Sequence, residues 1–532
     1  MKLKSLLVAL SELEIDKKSF SKTNFNINFI TDDSRSVKKD SLFVACKGLN
    51  YDGHKFISEA IDKGARVVVG EKNKSVLNLK KSVIYIRVNN SRRALGLLAS
   101  AFYGNPSGNL KVIGVTGTDG KTTTASLIHH ILSQSGKRVG LVTTVSAKIG
   151  NKEIDTGFHV TSPDPVTLNM ILRDMVRAKC EYAVIEVTSH GLEQGRVSGV
   201  DFDAAVMTNL THEHLDYHKT FEDYRDAKAK LIKSVKKITV LNKDDESYEF
   251  FKSLTPLGTQ VLSYSIKSKV ASVYSQNIKD IEEGTSFEVV DGVQSYSLET
   301  NLMGEYNISN ILAALTCCRY YVIEPDVIKK ALKTFKAPKG RLEKIENNKG
   351  LEIYIDFAHT PNSLENVLKL LRRKADSKQK KGKLIAVFGC AGERDIDKRS
   401  MMGEISAKYA DISIFTAEDP RSEKVESIID QIIKGAKKFG VKKLKGISEV
   451  AEWTPRMVDS MKKHLYESIP ERGEAIALAI QKLAKKGDTV VIFGKGHEQS
   501  MAYDKIEHPW SDQEAVRIAL KGGVKEIKRP NL

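Results

Sequence analysis

Cysteine is scarce in this chain, with five residues among 532. Their number is odd and their spacing matches no metal-binding pattern; they are Cys46, Cys180, Cys317, Cys318 and Cys390. Small secreted domains stapled by disulfides carry even sets of cysteines, so this composition argues against that class. We therefore expect a reduced protein of the cytoplasm.

Long apolar runs and low-complexity tracts are also missing. No apolar run reaches the roughly 20 residues that span a bilayer, and no small-residue cleavage pattern follows the short apolar stretch after Met1. The net charge of +17 comes largely from scattered lysines, without the interleaved aromatic residues of a base-stacking surface. Such a charge also suits a polyanionic small substrate. We expect a monomer with no membrane or nucleic-acid partner; a nucleic-acid-dependent NTPase is the remaining contender on charge alone.

The most informative motif lies at residues 117–124, which read GTDGKTTT between an apolar run and a helix-like segment. A strand, a glycine-rich turn with Lys-Thr and a helix are typical of a phosphate-binding loop. The glycines let backbone N–H groups approach, the helix N-terminus adds positive potential, Lys121 supplies a charge and Thr122 can bind Mg²⁺. The common P-loop has another glycine where this chain has Val115, so the loop is a shorter variant.

The rest of the chain divides into three regions, as its length suggests. Strands and helices alternate, with breaks at the polar turn 104–109 and at the linker 337–340. We predict an α/β protein of three domains, 1–108, 109–337 and 338–532. The central domain would hold a mostly parallel, P-loop-type sheet, and the C-terminal domain would be Rossmann-like. Residues 450–467 lack strand character and are predicted to be an inserted helix.

Charged residues near predicted strand ends suggest a metal site. Glu186 ends the strand 182–186, where a carboxylate can hold Mg²⁺ beside the loop, although an ion-paired or capping carboxylate would look the same. Three histidines follow the next strand, at residues 212–218, without the H-E-x-x-H spacing of zinc hydrolases. The predicted helix 221–231 contains Lys228, which, considered on its own, would be interpreted as a surface lysine.

Ordered motifs along essentially the whole chain resemble the Mur ligase family, and within it the MurE-type members. They occupy residues 33–35, 40–54, 117–122, 161–163, 186–190, 194–196, 208–210, 214–218, 224–228, 304–310, 340–343, 356–361, 392–395 and 494–498. The resemblance implies an ATP-dependent ligase of peptidoglycan precursor synthesis. Its three domains would bind the UDP end of a UDP-N-acetylmuramoyl dipeptide, ATP and an incoming amino acid. The D-glutamyl carboxylate would form an acyl phosphate, which the amine then converts to an amide.

The resemblance also implies roles for individual residues. ATP would contact Gly117, Thr118, Asp119, Gly120, Lys121, Thr122, Thr123, Asn307, Arg341 and Asp356. The UDP-linked substrate would contact Ser34, Thr161, Ser162, Thr188, Gln194 and Arg196. The amino acid would contact Arg394, Glu418, Asp419, Pro420, Arg421, Gly494 and Glu498. Catalysis would rest on Lys121, Glu186, His214 and Lys228, with Mg²⁺ held by Thr122, Glu186, His214 and Lys228 as its CO₂-derived carbamate. For Asn307, a helix N-cap is the alternative.

Three positions depart from the family pattern. Thr188 replaces a serine but keeps the hydroxyl, so the substrate contact should survive. Asp119 replaces a common asparagine in the phosphate loop, and we expect its carboxylate to point to solvent or to assist the metal. Glu418 and Asp419 replace Asp and Asn, which places an extra negative charge beside the amino-acid pocket.

Arg421 decides the expected amino acid, because the resemblance associates this arginine with meso-diaminopimelate users. A guanidinium can bind the second carboxylate that distinguishes diaminopimelate from lysine; pairing of Arg421 with Asp419 or Glu423 is the alternative. We predict meso-diaminopimelate, with an L-lysine-adding ligase as the alternative. A folylpolyglutamate synthetase-like ligase is disfavoured by residues 33–35 and 52–54, and a non-catalytic nucleotide-binding regulatory protein by the retained site residues.

Overall fold

The computed structural model describes the chain except for residues 12, 14–24, 49–50, 78, 80–81, 151, 155–162, 283, 293, 378–381, 445–463 and 528–532, and the side chain of Leu215. Thr161 and Ser162, both predicted to bind the UDP-linked substrate, lie outside the described residues. So does most of the predicted inserted helix, residues 450–463.

The first sheet has four parallel strands in the order β1-β2-β3-β4. The strands are β1 (Phe29–Thr31), β2 (Ser41–Val44), β3 (Ala65–Gly70) and β4 (Ile84–Arg87), with helices α1 (Leu3–Val8), α2 (Ile57–Asp62) and α3 (Ser91–Phe102). Helix α3 begins at Asn90, whose side chain accepts a hydrogen bond from the Arg93 N–H. It buries Leu95 and Leu98 against one face of the sheet.

The second sheet has eleven strands in the order β15-β14-β13-β12-β11-β10-β5-β9-β6-β7-β8. They are β5 (Lys111–Thr116), β6 (Val139–Val142), β7 (Ala147–Ile149), β8 (Lys152–Ile154), β9 (Tyr182–Glu186), β10 (Ala204–Met207), β11 (Ile238–Asn242), β12 (Gln260–Ser265), β13 (Val273–Ile281), β14 (Gly284–Asp291) and β15 (Gln294–Thr300). The helices are α4 (Lys121–Gln134), α5 (Pro165–Arg177), α6 (Ser189–Glu193), α7 (Leu215–His218), α8 (Phe221–Ser234), α9 (Tyr248–Ser253), α10 (Glu305–Tyr320) and α11 (Pro325–Thr334).

The middle of this sheet is parallel from β13 to β6, as predicted. Strands β9, β10 and β11 are buried along their whole length because helices cover both faces. One apolar cluster packs Ile113 and Val115 against α4 and α10, and another packs Val112 and Ile185 on the opposite face.

Antiparallel strands extend both edges of the second sheet, which the sequence analysis did not anticipate. Strands β14 and β15 add to β13, and β7 and β8 add to β6. In β14 buried and half-buried residues partly alternate, as in strands covered on one face only.

The third sheet has seven strands in the order β16-β17-β22-β18-β19-β21-β20. They are β16 (Glu343–Ile345), β17 (Glu352–Asp356), β18 (Leu384–Phe388), β19 (Ile412–Phe415), β20 (Lys442–Lys443), β21 (Leu465–Ser468) and β22 (Thr489–Phe493), followed by a hairpin of β23 (Ser500–Tyr503) and β24 (Ile506–Pro509). Its helices are α12 (Pro361–Asp376), α13 (Asp397–Tyr409), α14 (Val425–Lys437), α15 (Arg472–Leu478) and α16 (Asp512–Leu520). All neighbouring pairs are parallel except β16 and β17.

The end of the predicted inserted helix is wrong, because residues 465–467 belong to strand β21. Leu465 and Tyr466 are buried, and β21 pairs in parallel with β19.

The two longest helices in the described part of the chain, α10 and α12, have 16 residues each. None of the helices described there has the length and apolarity that a membrane span requires. The domain boundaries near residues 108 and 337 stay predictions.

Candidate active site

The phosphate loop connects the end of β5 to the start of α4, and two of its positions can only be glycine. Gly117 has φ +146°, and a Cβ there would lie 1.8 Å from Thr208 Oγ1. Gly120 has φ +81°, and its Cβ would lie 2.2 Å from Asn310 Oδ1. L residues with side chains rarely adopt such φ angles, so both backbone shape and close packing select glycine.

Hydrogen bonds from nearby side-chain and backbone groups hold the phosphate loop in place. Thr118 Oγ1 lies 2.8 Å from the hydroxyl of Tyr224 and accepts a hydrogen bond of 2.9 Å from the Thr211 N–H. Lys121 Nζ donates to Thr118 O at 2.8 Å. Burial lowers the pKa of Lys121, while the carboxylates of Glu186 and Asp119 act in the opposite direction. The Lys121 amine therefore lies at the loop, where phosphate oxygens would be its further hydrogen-bond partners.

Glu186 reaches the loop because β9 pairs in parallel with β5, with Val115 opposite Glu186. Its Oε2 accepts hydrogen bonds from Thr122 Oγ1 at 2.9 Å and from the Thr144 N–H at 3.3 Å. The residue is 2% exposed. Thr122 and Glu186 thus present two hard oxygen ligands side by side, as predicted from the strand end.

His214 lies in the loop after β10 with φ +59°, a rare conformation for a residue other than glycine. Its ring centroid is 4.7 Å from that of His190. Burial lowers the pKa of His214 well below its usual value, which favours the neutral imidazole that can ligate a metal. The other two histidines of the motif diverge: His212 approaches Asp395, and His218 packs on Tyr224.

Lys228 is buried on α8, which excludes the alternative of a surface lysine. Its Nζ donates to the carbonyl of Gly117 at 2.6 Å, so it supports the phosphate loop from behind. Burial, and after it the charge of Lys121, lowers the pKa of Lys228 well below its usual value. A neutral amine is the form that reacts with an electrophile such as CO₂.

The residues predicted to contact adenosine lie on both sides of the loop. Arg341, just before β16, donates from Nη2 to Thr122 Oγ1 at 3.0 Å, and its buried Nε has no hydrogen-bond partner among the described residues. Asp356 ends β17 and accepts hydrogen bonds from the Leu342 and Ala358 N–H groups. Burial raises the pKa of Asp356 to about 6. The N-cap alternative for Asn307 is wrong, because α10 is capped by Gly304 and Asn307 lies inside its first turn.

One cavity of about 760 Å³ brings these groups together, a volume typical of nucleotide-sized ligand sites. The lining residues that the sequence analysis predicted are Thr118, Asp119, Gly120, Lys121, Thr122, Thr123, Glu186, Thr188, His214, Asn307, Arg341, Asp356 and Glu498. Glu213, Tyr306, Phe357, His359, Thr360 and Asn362 also line it and were missed. Four of these six stand inside the quoted motifs 304–310 and 356–361, and Glu213 and Asn362 directly adjoin quoted motifs, which was the available signal.

The described residues that were predicted to bind the UDP-linked substrate are Ser34, Thr188, Gln194 and Arg196. Arg196 Nε donates to Gln194 Oε1 at 2.9 Å, and Gln194 Nε2 donates to the Tyr217 hydroxyl. The Arg196 charge opposes the rise in pKa that burial imposes on Asp32, two residues before Ser34. Thr188 caps α6 through its hydroxyl, so part of its role is local.

The predicted amino-acid site lies at the ends of β19 and β22. Asp419 Oδ1 accepts hydrogen bonds from Lys495 Nζ at 2.7 Å and from the Ala502 N–H at 2.9 Å, and Lys495 also pairs with Glu498 at 2.5 Å. Lys495 was missed, although it stands inside a quoted motif. The carboxylate of Asp419 is thereby paired with a buried lysine that it shares with Glu498.

Arg421 donates from Nη1 to the carbonyl of Gly392. Its proposed alternative partners are engaged elsewhere, since Asp419 pairs with Lys495 and Glu423 with Arg399. Within the described part of the chain, no carboxylate lies at ion-pair distance from the Arg421 guanidinium.

Glu418 and Gly494 also meet at these strand ends. A Cβ on Gly494, which has φ +105°, would lie 2.8 Å from Glu418 Oε2. Burial raises the pKa of Glu418 to about 8, with Lys398 acting in the opposite direction. Pro420 stands between two residues with positive φ, Asp419 at +39° and Arg421 at +50°, a local strain of the kind found at binding sites.

Two ion pairs and one histidine–aspartate contact connect the histidine-containing segment to α13 and the residues just before it. Glu213 and Lys398 are both nearly fully buried and approach to 3.2 Å. His212 lies 3.2 Å from Asp395, and Asp216 lies 3.4 Å from Arg394. The predicted amino-acid ligand Arg394 therefore has a carboxylate partner from the central domain.

The described residues contain no cluster of three or more His, Cys, Asp or Glu side chains with metal-binding geometry. The predicted Mg²⁺ ligands are of a different kind: a hydroxyl, a carboxylate and an imidazole that all line the cavity beside Lys121. The hydrogen-bonded Thr122–Glu186 oxygen pair suits a hard cation.

A short glycine loop at a helix N-terminus, set between two mostly parallel sheets, defines a nucleotide-binding α/β enzyme whose site is shared by domains. Three Mur ligase domains match the chain: the family's catalytic domain over residues 26–103, the middle domain over 115–318 and the glutamate ligase domain over 340–496. The chain belongs to the Mur ligase family, whose members are ATP-dependent ligases. The resemblance and the three-domain fold expected from the sequence are thus confirmed.

Similar proteins include the UDP-N-acetylmuramoyl-L-alanyl-D-glutamate–2,6-diaminopimelate ligase of Clostridioides difficile strain 630, 34% identical over 98% of this chain and 99% of that protein. A solved structure of a ligase with the same name is 29% identical, covers 93% of this chain and 94% of its own, and has a TM-score of 0.62. The MurF ligase of Thermotoga maritima in complex with ADP shares the fold at 21% identity, covering 93% of this chain and 97% of its own, with a TM-score of 0.59.

Proposed function

We propose that this protein joins the amine of meso-diaminopimelate to the D-glutamyl carboxylate of UDP-N-acetylmuramoyl-L-alanyl-D-glutamate, with conversion of ATP to ADP and phosphate. One observation carries the proposal. The phosphate loop, the Thr122–Glu186 pair, Arg341 and Glu498 all line the same cavity, so nucleotide and amino acid would meet within it. The named relatives of similar length make this the substrate set to test first.

The charges of the site suit the first half-reaction. A carboxylate that attacks the γ-phosphate brings negative charges together, so positioning and neutralisation dominate the barrier. Lys121 lies at the loop and Arg341 reaches Thr122 from the other side. The carboxylate oxygen bonds to the γ-phosphorus as ADP leaves, which gives the acyl phosphate. The amine then attacks the acyl carbon, phosphate departs and the ammonium proton is lost to a base.

Thr122, Glu186 and His214 would hold Mg²⁺, which would neutralise phosphate charge when bound. Lys228 is proposed to carry a carbamate. Its neutral amine would attack CO₂ and lose a proton, which places an anion behind the loop. The lowered pKa of Lys228 supports this step, because it increases the share of unprotonated, nucleophilic amine. Carbamylation would replace the Lys228 contact with the Gly117 carbonyl.

Arg421 is proposed to read the second carboxylate of diaminopimelate. The Gly392 carbonyl fixes one end of its guanidinium, and the rest of the fork lacks a carboxylate partner among the described residues. Arg394, Glu418, Asp419, Pro420, Gly494 and Glu498 would form the remaining pocket. Ser34, Thr161, Ser162, Thr188, Gln194 and Arg196 would bind the UDP-linked dipeptide.

The test is phosphate release from ATP with the UDP-linked dipeptide and a panel of amino acids, with the product identified by mass. We expect turnover only with all three substrates, and fastest with meso-diaminopimelate. Lys121→Ala should abolish it, while Lys137→Ala, which changes a half-buried lysine beyond the far end of α4, should not. Turnover that ignores the dipeptide, or the absence of any amide product, would refute the proposal. Equal rates with L-lysine would refute the amino-acid assignment alone.

The cytoplasmic location, the monomeric state and the absence of a nucleic-acid partner stay predictions. All five cysteines are unpaired, which accords with a reducing compartment.

A further inference from the structure

The side chain of Asp119 leaves the phosphate loop and reaches the third domain. Its Oδ2 accepts a hydrogen bond of 2.9 Å from Asn362 Nδ2, and both carboxylate oxygens lie 3.4–3.5 Å from Thr360 Oγ1. The expected orientation of Asp119 toward solvent is therefore wrong, while assistance to the metal stays a prediction. Its carboxylate is committed to a contact between domains.

Both partners of this contact are held in place. The Asp119 N–H donates to Asn209 Oδ1 at 2.9 Å, and the Asp119 carbonyl accepts from Thr208 Oγ1 at 2.6 Å. On the other side, Asn362 Oδ1 accepts from Asn366 Nδ2, which orients the amide so that Nδ2 faces Asp119. The contact is therefore specific in both position and orientation.

The electrostatics explain why a carboxylate is tolerated so near the phosphate site. Asn362 lies in the first turn of α12, a 16-residue helix with Thr360 as its N-cap. The N-terminus of a helix carries partial positive charge and favours an anion. The helix end and the Asn362 amide thus stabilise the Asp119 carboxylate at the wall of the cavity.

We propose that Asp119 is a positioning residue. Its carboxylate docks the start of α12 against the phosphate loop and so brings the amino-acid site to the acyl phosphate. The effect of this role on the rate of amide formation rests on the proposed function. The nucleotide phosphates would be bound by the loop N–H groups and Lys121, without the Asp119 side chain. Losing this side chain should therefore impair amide formation and leave nucleotide affinity nearly unchanged.

The first measurement compares Asp119→Ala and Asn362→Ala with the wild type. A hydrogen bond to a charged group is strong enough that we expect kcat over KM for the amino acid to fall about ten- to a hundredfold. The ATP dissociation constant, measured directly by calorimetry, should change less than about threefold, which corresponds to about 0.65 kcal/mol. Glu365→Gln, on α12 but paired with Lys369 within the third domain, is the matched control and should behave as wild type.

The decisive test exchanges the two groups. Asn362→Asp alone places two carboxylates opposite each other, and it should reduce turnover and increase the radius of gyration measured by small-angle scattering. The double variant Asp119→Asn with Asn362→Asp restores an amide facing a carboxylate and keeps an anion at the helix start. It should recover both the compact radius and most of the turnover.

A double variant no better than Asn362→Asp would overturn the proposal, as would an Asp119→Ala defect that lies entirely in ATP affinity. The scattering measurement needs no substrate. A wild type that makes no amide would therefore refute the proposed function, while the exchange result still decides the role of Asp119.

Discussion

Replacing Arg421 by alanine tests the choice of amino acid most directly. The backbone of Arg421 is fixed independently of its side chain: its N–H donates to Ala502 O at 3.1 Å, and its carbonyl accepts from the Asp504 N–H at 2.8 Å. Truncation removes the guanidinium and its contact with Gly392 O while these anchors remain. The substitution should therefore act on the ligand and leave the loop in place.

The magnitude follows from the interaction that is lost. A hydrogen-bonded pair between a guanidinium and a carboxylate contributes about 1.5–3 kcal/mol, which corresponds to about ten- to a hundredfold in affinity. We expect the KM for meso-diaminopimelate to rise at least about tenfold in Arg421→Ala. In Arg421→Lys this KM should lie between those of the wild type and Arg421→Ala, because an ammonium keeps the charge but not the planar fork. The ATP dissociation constant should change less than about twofold, since Arg421 does not line the nucleotide cavity.

The assay is phosphate release at saturating ATP and dipeptide, with meso-diaminopimelate or L-lysine varied. L-Lysine lacks the second carboxylate, so Arg421→Ala should bring the two amino acids close to equal preference. Lys424→Ala removes an exposed cation three residues away and serves as the control. An unchanged KM for diaminopimelate, or an equal loss of ATP affinity, would refute the reasoning.

Three further predictions concern the nucleotide side. Lys228→Ala should lose most activity and regain part of it when a short carboxylic acid is supplied in place of the carbamate; full activity without rescue would remove Lys228 from the mechanism. Asp356, whose pKa burial raises to about 6, is ionised above that pH and protonated below it, so the KM for ATP should rise as the pH falls through 6. Asp356→Asn should lack this component, and an identical pH profile in both proteins would contradict the assignment. Gly117→Ala should abolish the thermal shift given by ATP, because its Cβ would clash with Thr208, whereas Gly108→Ala, with nothing within 4 Å of its Cβ, should retain it.

The parts of the site that the sequence predicted are those set by local structure. Gly117, Gly120 and Lys121 form one continuous strand–turn–helix unit, so their geometry follows from neighbouring residues. Glu186 was also predictable, because parallel strands bring their carboxyl ends to one edge of a sheet. For these residues, the residue type and its position in the sequence already indicate where the side chain lies in the fold.

The parts that the sequence did not predict depend on contacts between distant segments. Asp119 and Asn362 are 243 residues apart, and no local pattern indicates that their side chains meet. The pairing of Asp419 with Lys495 is of the same kind. Strand β21 was misread because Leu465 and Tyr466 form a short apolar stretch, which lacks a decisive period until its neighbour β19 is known.

Arg341 has a consequence for inhibitor discovery. This arginine enters the nucleotide pocket from the segment that leads into the third sheet and touches Thr122 across the domain junction. A fragment of the protein limited to the middle sheet would lack the side of the pocket that Arg341 forms, so it is unsuited to compound screening. Compounds that bind between Arg341 and the phosphate loop would keep the second and third sheets apart without resembling a nucleotide.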